Sequence, residues 1–241
     1  MNTSRNRFIK VLKRYLKLNF FTFFCINVAI YVVALYVELN YLYSKSYYFE
    51  LFANKFNSQK ELLKEFAAQK SMDIYNYLWI PVHVLLSCFL IGICIFLGLN
   101  IMNIRIRFKE SLKMVMACTI IFPINYLITV ILKISHIISF NEYNIDDEYA
   151  YQSIAALFDI SKIPVWEYAI LRQINITEIS FILFLSLALS IKMHINFLRG
   201  TSSTAITYII GLIIYGIVSV FAGYISVSYT HLRAHETLRY L

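Results

Sequence analysis

The chain is poor in charge, glycine and proline, and each shortage excludes a class of protein. Only 15% of its 241 residues are charged, and it holds 6 glycines and 3 prolines. Soluble domains carry about 25% charged residues, whereas 59% of this chain is hydrophobic. Flexible linkers and disordered tracts need small or polar residues, so the sequence predicts neither. The composition predicts a protein that lies in a lipid bilayer.

Residue patterns that carry catalysis or metal binding are also missing. The sequence contains no H-E-x-x-H, G-x-S-x-G or G-x-x-x-x-G-K-[ST] motif. All four cysteines lie in apolar runs and none forms a C-x-x-C pair, so we expect small buried side chains rather than disulfides or a zinc site. These are Cys25, Cys88, Cys94 and Cys118. No predicted span holds two carboxylates. The sequence therefore disfavours an enzyme and predicts no cofactor and no metal.

Five apolar stretches are long enough to cross a bilayer. A membrane helix needs about 20 mostly apolar residues, because the hydrocarbon is about 30 Å thick and a helix rises about 1.5 Å per residue. The first stretch follows six basic residues but precedes no small-residue cleavage site, so we expect an uncleaved anchor. The sequence predicts an all-α integral membrane bundle with spans at about 18–38, 78–99, 114–132, 176–192 and 204–226.

The charged residues alternate across these spans. Segments 1–17, 105–113 and 192–199 hold twelve basic residues and one acidic residue. Segments 37–73 and 133–178 hold eight basic and twelve acidic residues. Because basic segments stay in the cytoplasm, we predict a cytoplasmic N-terminus and two outer segments. The net charge of +8 is then explained by topology and anionic lipid headgroups, without nucleic acid.

Each outer segment predicts short helices near the membrane surface. Ser58 and Glu61 match the capping pattern S-x-x-E, and the apolar spacing after them predicts an amphipathic helix over 59–72, lying on the membrane or the bundle. We favour a packing element over a helix that binds lipid or a partner. Segment 150–173 contains two apolar stretches too short to cross, which predicts an interfacial or re-entrant pair.

Polar residues before the fourth span allow two interpretations each. The second outer segment opens with four acidic residues, Glu142, Asp146, Asp147 and Glu148. Their spacing departs from the calcium-loop pattern, so a solvated acidic turn is favoured over a cation site. Asn175 begins a glycosylation sequon and also the pattern N-x-x-E with Glu178. We favour a helix cap, which excludes Glu178 from the intramembrane carboxylates.

Three polar side chains inside the spans are the candidates for function, because a polar group in lipid is costly. They are Asn27, His83 and Asn125. His83 has no acidic or histidine partner at helical spacing, and Asn125 follows Pro123, which predicts a kink and an interhelical hydrogen bond. Small residues mark candidate helix contacts, because they let backbones approach closely. These are Gly92, Gly211, Gly216 and Gly223.

Two stretches resemble the Yip-domain family of membrane proteins. Arg107–Ile128, "RFKESLKMVMACTIIFPINYLI", has a basic amphipathic lead and then a span with a central proline. Asn175–Ile217 has two spans joined by a short connector. The chain is also similar to uncharacterised bacterial five-span proteins, some of them labelled transporter permeases. The resemblance implies clustered helices, no catalytic site and a location in a bacterial inner membrane.

Three functions follow from these patterns. The first is a non-enzymatic, membrane-organising protein that binds a membrane-protein partner or a second copy of itself. The second is a transporter or permease subunit with a polar path near Asn125 and His83, and the third, weaker, is a lipid-modifying enzyme. Residues 227–241 resemble a translated sequencing adapter, so we exclude them from function and expect the native C-terminus to lie elsewhere.

Overall fold

The computed structural model describes residues 2–52, 58–138, 147–158 and 165–214, and within these ranges it contains no β-strand. The helices are α1 Asn2–Tyr15, α2 Phe20–Val37, α3 Lys45–Phe52, α4 Gln59–Ile101, α5 Phe108–Cys118, α6 Ile121–Ile134, α7 Val165–Gln173, α8 Ile176–Met193 and α9 Phe197–Ile214. Five helical stretches are long and apolar enough to cross a membrane: Phe20–Leu42, α4, Phe108–Ile134, α8 and α9. The predicted all-α membrane bundle is confirmed.

The fourth helix differs from the prediction of a separate outer helix over 59–72. Ser58 caps its first turn, because Ser58 Oγ accepts a hydrogen bond from the Glu61 amide at 3.2 Å. The 43 residues of α4 then continue without a break. At about 1.5 Å per residue the helix is about 64 Å long, twice the hydrocarbon thickness. No glycine or proline interrupts 59–80, so the outer helix and the second span form one rod.

The outer part of α4 packs against α3. Leu62 is buried on this face. The Phe66 ring lies 5.4 Å from the Tyr48 ring and 6.2 Å from the Phe49 ring. These contacts bury the apolar side of the amphipathic pattern against protein. The first outer segment therefore forms a helical hairpin that extends the bundle beyond its outer end.

We expect Ser58→Ala to destabilise this hairpin by about 1 kcal/mol, the usual effect of removing a helix N-cap. Hydrogen exchange of the α4 amides near Glu61 should accelerate, while exchange in α8 stays unchanged. Ser71→Ala is the matched control, because Ser71 Oγ bonds only the Ala68 carbonyl inside the same helix at 2.6 Å. Equal acceleration in the two variants would contradict a capping role for Ser58.

The third span is divided where its proline predicts a kink. Helix α5 ends at Cys118, and α6 begins at Ile121. Pro123 has no amide hydrogen to give to the Thr119 carbonyl, and the Phe122 amide donates to that carbonyl instead, at 3.0 Å. This tighter turn changes the direction of the helix axis. Helix α5 packs in the inner half, and α6 contacts the second outer segment.

The inner half of the bundle is tightly packed. Phe23 of α2, Met116 of α5 and Leu189 of α8 are fully buried. The Tyr15 ring meets the Phe23 ring edge-on at 4.8 Å, and Tyr15 Oη donates to the Ala117 carbonyl at 2.6 Å. Helix α1 is thereby attached beneath the core. The outer half also buries Leu39, Ile80 and Phe181, but there they lie beside polar side chains.

Small residues lie at close helix contacts. A Cβ added at Gly92 would come within 2.5 Å of Leu112 on α5, and Ser111 Oγ donates to the Gly92 carbonyl at 3.0 Å. Gly211 of α9 faces Cys94. Gly98, which the sequence pattern did not single out, has no room for a side chain beside Thr207 of α9. Gly216 and Gly223 lie outside the described residues, as do residues 227–241.

Candidate functional site

A polar cavity of about 590 Å³ lies in the outer half of the bundle. Its walls come from α2, α4, α6, α8, and the second outer segment with α7. Carboxylate, guanidinium, amide and aromatic side chains line it. They include Tyr31, Glu38, Asn76, Trp79, His83, Tyr126, Glu148, Tyr149, Arg172, Gln173 and Glu178. Trp79 is 57% exposed, so the cavity reaches the surface of the bundle at its rim.

A second cavity of about 260 Å³ continues towards the middle of the membrane. Five residues line both cavities: Tyr31, His83, Tyr149, Gln173 and Glu178. The deeper one also reaches Asn27 of α2, Ser87 and Cys94 of α4, and Thr119. Through these shared residues the two cavities adjoin as one path, which is polar in its outer part and lined mainly by apolar side chains in its deeper part.

Two glutamates of the path are held by tyrosines from other helices. The Tyr126 hydroxyl of α6 donates to Glu38 Oε2. The Tyr208 hydroxyl of α9 donates to Glu178 Oε2 at 2.5 Å. The Asn175 side chain caps α8, because its Oδ1 accepts from the Glu178 amide at 2.8 Å. The predicted cap is therefore confirmed, but the Glu178 side chain points into the bundle, contrary to its exclusion from the intramembrane carboxylates.

Asp147 organises the second outer segment. Its Oδ1 accepts from the amides of Tyr149 at 2.8 Å and Ala150 at 2.9 Å. The same oxygen lies 3.2 Å from Arg172 Nε, and the Tyr168 hydroxyl donates to Oδ2 at 2.8 Å. The Asp147 side chain is only 9% exposed. The interpretation of this residue as part of a solvated acidic turn is wrong, because α7 folds back over it.

Glu148 is largely buried in the cavity wall, and no described side chain donates a hydrogen bond to its carboxylate. The pKa of this carboxyl is raised from 4.5 to about 7, chiefly by burial. The neighbouring Glu38 carboxylate contributes to the rise, whereas Lys133 and Arg172 oppose it. A carboxylic acid in this environment exchanges its proton near neutral pH. Glu148 is thus the most chemically responsive group of the site.

The second outer segment enters the bundle mouth instead of lying above it. Asn125 Nδ2 donates to the Glu148 carbonyl at 3.4 Å, and Gln152 Nε2 donates to Asn125 Oδ1 at 2.8 Å. Two short 3-10 turns, Ala150–Gln152 and Ile154–Leu157, follow Glu148. The Ile154 amide then donates to the Ile174 carbonyl at 3.0 Å. Protein groups therefore satisfy non-helical backbone at this depth, as lipid could not.

The three candidates from the sequence have different places in this site. His83 lines both cavities, and its ring meets the Tyr31 ring edge-on at 6.0 Å. Asn27 lines the deep end, where its Nδ2 donates to the Phe23 carbonyl at 2.8 Å and the Met116 carbonyl at 3.2 Å. Asn125 is buried behind the wall and anchors the outer segment. The expected polar path therefore contains His83 but bypasses Asn125.

The sequence did not predict that Glu38, Glu148 and Glu178 belong to a site, because the position of each in the chain has a simple local explanation. Glu38 and Glu178 lie at span ends, where a carboxylate can face water or cap a helix, and Glu148 lies in an outer segment. One signal in the sequence points to them. All three belong to the outer side of the predicted topology. Among the described residues, no group of three metal-ligating side chains is close enough to hold an ion.

The fold and the site define an integral membrane protein of five span-length helices with an internal polar cavity. No family model matches the chain, and neither a curated protein nor a solved structure matches it. The resemblance to the Yip-domain family therefore stays a prediction. The functional argument depends on the cavity and its side chains.

Proposed function

We propose that the protein is a transporter or permease component that takes up a small polar solute from the outer side of the membrane. One observation carries this proposal: the two adjoining cavities, polar at the rim near Trp79 and mainly apolar at depth, reach from the outer surface to Asn27 near the middle of α2. Burying this many polar groups in a membrane bundle is costly unless they serve water or a solute. A protein that only organises helices needs no such cavity.

The packing of the two halves of the bundle supports an outward-facing state. At and beneath the level of Asn27, the core residues Phe23, Met116 and Leu189 are fully buried and pack together. Above it, the path is lined by carboxylates, amides and tyrosines. A transporter exposes its site to one side at a time, and this asymmetry corresponds to an outer gate that is open and an inner gate that is shut.

The kinked third span is a candidate for the moving part. Helix α6 carries Asn125, which holds the outer segment, while α5 packs in the inner core. The break between Cys118 and Ile121 lets the two halves tilt separately. Rotation of α6 about this break would carry the outer segment with it and change access to Glu148.

Thiol labelling with a membrane-impermeant maleimide tests the proposal. Two single-cysteine proteins are made in a background that lacks the other cysteines: His83→Cys for the outer cavity, and native Cys94 for the deep one. We expect both to react from the outer side in intact cells, within about tenfold of the rate of exposed Lys60→Cys. We further expect Cys94 to react from the inner side in inverted vesicles, because a cycling transporter opens both ways.

Phe181→Cys is the matched control, because this core position is fully buried and lines neither cavity. It should remain unlabelled from both sides on the same time scale. If His83→Cys and Cys94 react as slowly as Phe181→Cys, the cavity is not accessible to water and the proposal is wrong. Labelling from the outer side alone would reduce the function to binding without transport.

A further inference from the structure

We propose that the cavity recognises an alkylammonium group, carried either by a small free amine or by the headgroup of an ethanolamine lipid. This inference rests on the proposed solute-binding function and names the chemical class of the solute. Three features of the cavity wall support it: its net charge, its aromatic faces and a carboxylate, Glu148, to which no described side chain donates a hydrogen bond.

The charged groups of the larger cavity favour a cation. Its wall holds three carboxyl groups, Glu38, Glu148 and Glu178, and one guanidinium, Arg172. Asp147 already neutralises that guanidinium through the 3.2 Å ion pair. The remaining field is negative, and it acts in a space where little water screens it. A cation gains from this field, whereas an anion is repelled by each of the three carboxyl groups that is ionised. The buried Lys133 ammonium, which acts on Glu148, offsets part of this field.

Aromatic rings surround the same space. Tyr31, Trp79, Tyr126 and Tyr149 all line the larger cavity. Ring faces attract cations, and recognition sites for ammonium groups are commonly built from several of them. The Tyr149 ring already makes a cation–π contact within the protein, because the Arg172 guanidinium lies 5.8 Å from the ring centroid. An alkylammonium group combines the charge that the carboxylates require with alkyl surface that the rings can cover.

Glu148 supplies the direct anchor. The Tyr126 and Tyr208 hydroxyls occupy one oxygen of Glu38 and of Glu178 respectively. The Glu148 carboxylate is largely buried, lines the cavity and accepts no hydrogen bond from a described side chain. An ammonium N–H donor would provide the missing partner. Such charge-assisted hydrogen bonds are about twice as strong as neutral ones.

Binding should compete with a proton at Glu148. The charged groups that face this carboxyl are Glu38 just after α2, Lys133 on α6, Arg172 on α7 and the adjacent Asp147. Burial and the two acidic neighbours hold the pKa of Glu148 at about 7 despite the two basic ones. Below pH 7 the carboxyl is neutral, so an ammonium ion must displace a proton. Affinity is therefore expected to fall as the pH is lowered.

Ligand-detected NMR on the full-length protein in phosphatidylglycerol nanodiscs tests this proposal. The probes are n-butylammonium, n-butanol and butyrate, which share an alkyl chain and differ in charge. We expect only n-butylammonium to saturate, with affinity about tenfold lower at pH 6 than at pH 8, as one group with a pKa near 7 requires. Glu148→Gln should lose at least tenfold in affinity at pH 8 and show a flat pH profile.

Asp73→Asn is the matched control, because Asp73 is an acidic residue of α4 outside both cavities, paired with Lys70 at 3.1 Å. It should bind n-butylammonium as the unaltered protein does. Nanodiscs doped with phosphatidylethanolamine separate the two sources of the ammonium group. Loss of n-butylammonium binding in them indicates the lipid headgroup, and retained binding indicates a free amine; both support an alkylammonium site.

Two results would overturn the proposal: equal binding of n-butanol or butyrate, or unchanged affinity and pH slope in Glu148→Gln. If Glu148→Gln fails to fold, the n-butylammonium affinity of the unaltered protein at pH 6 and pH 8 still tests the proposal. An affinity that does not change with pH excludes Glu148 as the anchor. The maleimide experiment shows whether a negative result rejects the ligand class alone or the solute-binding function as well. Labelled His83→Cys without amine binding rejects the ligand class alone, whereas an unlabelled cavity rejects the solute-binding function itself.

Discussion

Asp147→Ala is expected to lower the free energy of unfolding by about 3 kcal/mol, because Asp147 accepts three hydrogen bonds and each contributes about 1 kcal/mol. The substitution leaves Arg172 without its 3.2 Å partner beside the cavity. It also deprives the Tyr149 and Ala150 amides and the Tyr168 hydroxyl of their acceptor. Because these contacts fold the second outer segment into the bundle mouth, the cavity wall should loosen with them.

Thermal and denaturant unfolding in detergent micelles measure this effect. The variant Asp147→Asn separates the contribution of the charge from that of the hydrogen bonds. The amide oxygen of Asn can still accept from the two backbone amides, but the charge is gone, so we expect an intermediate loss. Asp73→Ala removes a pair on the outer hairpin, where Lys70 is 51% exposed, and should cost less than about 1 kcal/mol. A loss for Asp147→Ala no larger than that of Asp73→Ala would show that the outer segment is held by other contacts.

The stability of the protein should decrease as the pH rises from about 4.5 to 7, and Glu148 should account for the decrease. Burial keeps this carboxyl protonated in the folded state up to a pKa of about 7, whereas its ordinary value is 4.5. Between these values the unfolded chain ionises and the folded protein does not, so ionisation favours unfolding. The full loss is about 3 kcal/mol, since each pKa unit corresponds to about 1.4 kcal/mol.

Glu148→Gln isolates this contribution, because the amide does not titrate and nearly preserves the shape of the side chain. Subtracting its unfolding curves from those of the unaltered protein removes every other titrating group. The difference should be constant below pH 4.5, change between pH 4.5 and 7, and level off above. A difference that does not vary with pH would mean that the Glu148 carboxyl is solvated and that the outer segment does not bury it.

Both predictions concern one short segment, and they link the fold to the proposed function. Asp147 fixes the position of the backbone, and the adjacent Glu148 thereby reaches the cavity wall. Asn125 holds the same segment from the third span. The proposed cation site needs an anchor carboxylate that is held in place and can accept a donor. The 147–152 segment is fixed through its backbone, and no described side chain donates a hydrogen bond to the Glu148 carboxylate.

Local sequence patterns predicted much of the fold. Apolar length predicted the five spans, because a bilayer requires about 20 apolar residues per helix. Ser58 and Asn175 predicted two helix starts, since a capping side chain needs only the three residues that follow it. Pro123 predicted the division of the third span, because a missing amide hydrogen disturbs the helix within one turn. Each of these features depends on residues close together in the chain.

Local sequence patterns did not predict that α4 is one continuous helix. The amphipathic pattern of 59–72 and the apolar run that follows predicted two elements with different surroundings. Whether they join depends on what covers the apolar face of the first. In the structure α3 covers it, through Tyr48 and Phe49 against Phe66. Because α3 covers the apolar face of 59–72, this part of α4 does not need to lie on the membrane surface. The helix can therefore extend straight out of the membrane.

The sequence by itself determined the class of protein, the number of span-length helices and several of their ends, because hydrophobic length and capping act over a few residues. Only the tertiary structure brought Glu38, Glu148 and Glu178 into one cavity, from the end of α2, an outer segment and the start of α8. Each glutamate alone is an ordinary surface or capping residue. Their shared environment depends on long-range packing, and that packing gives them a negative field, aromatic neighbours and a proton that exchanges near neutral pH.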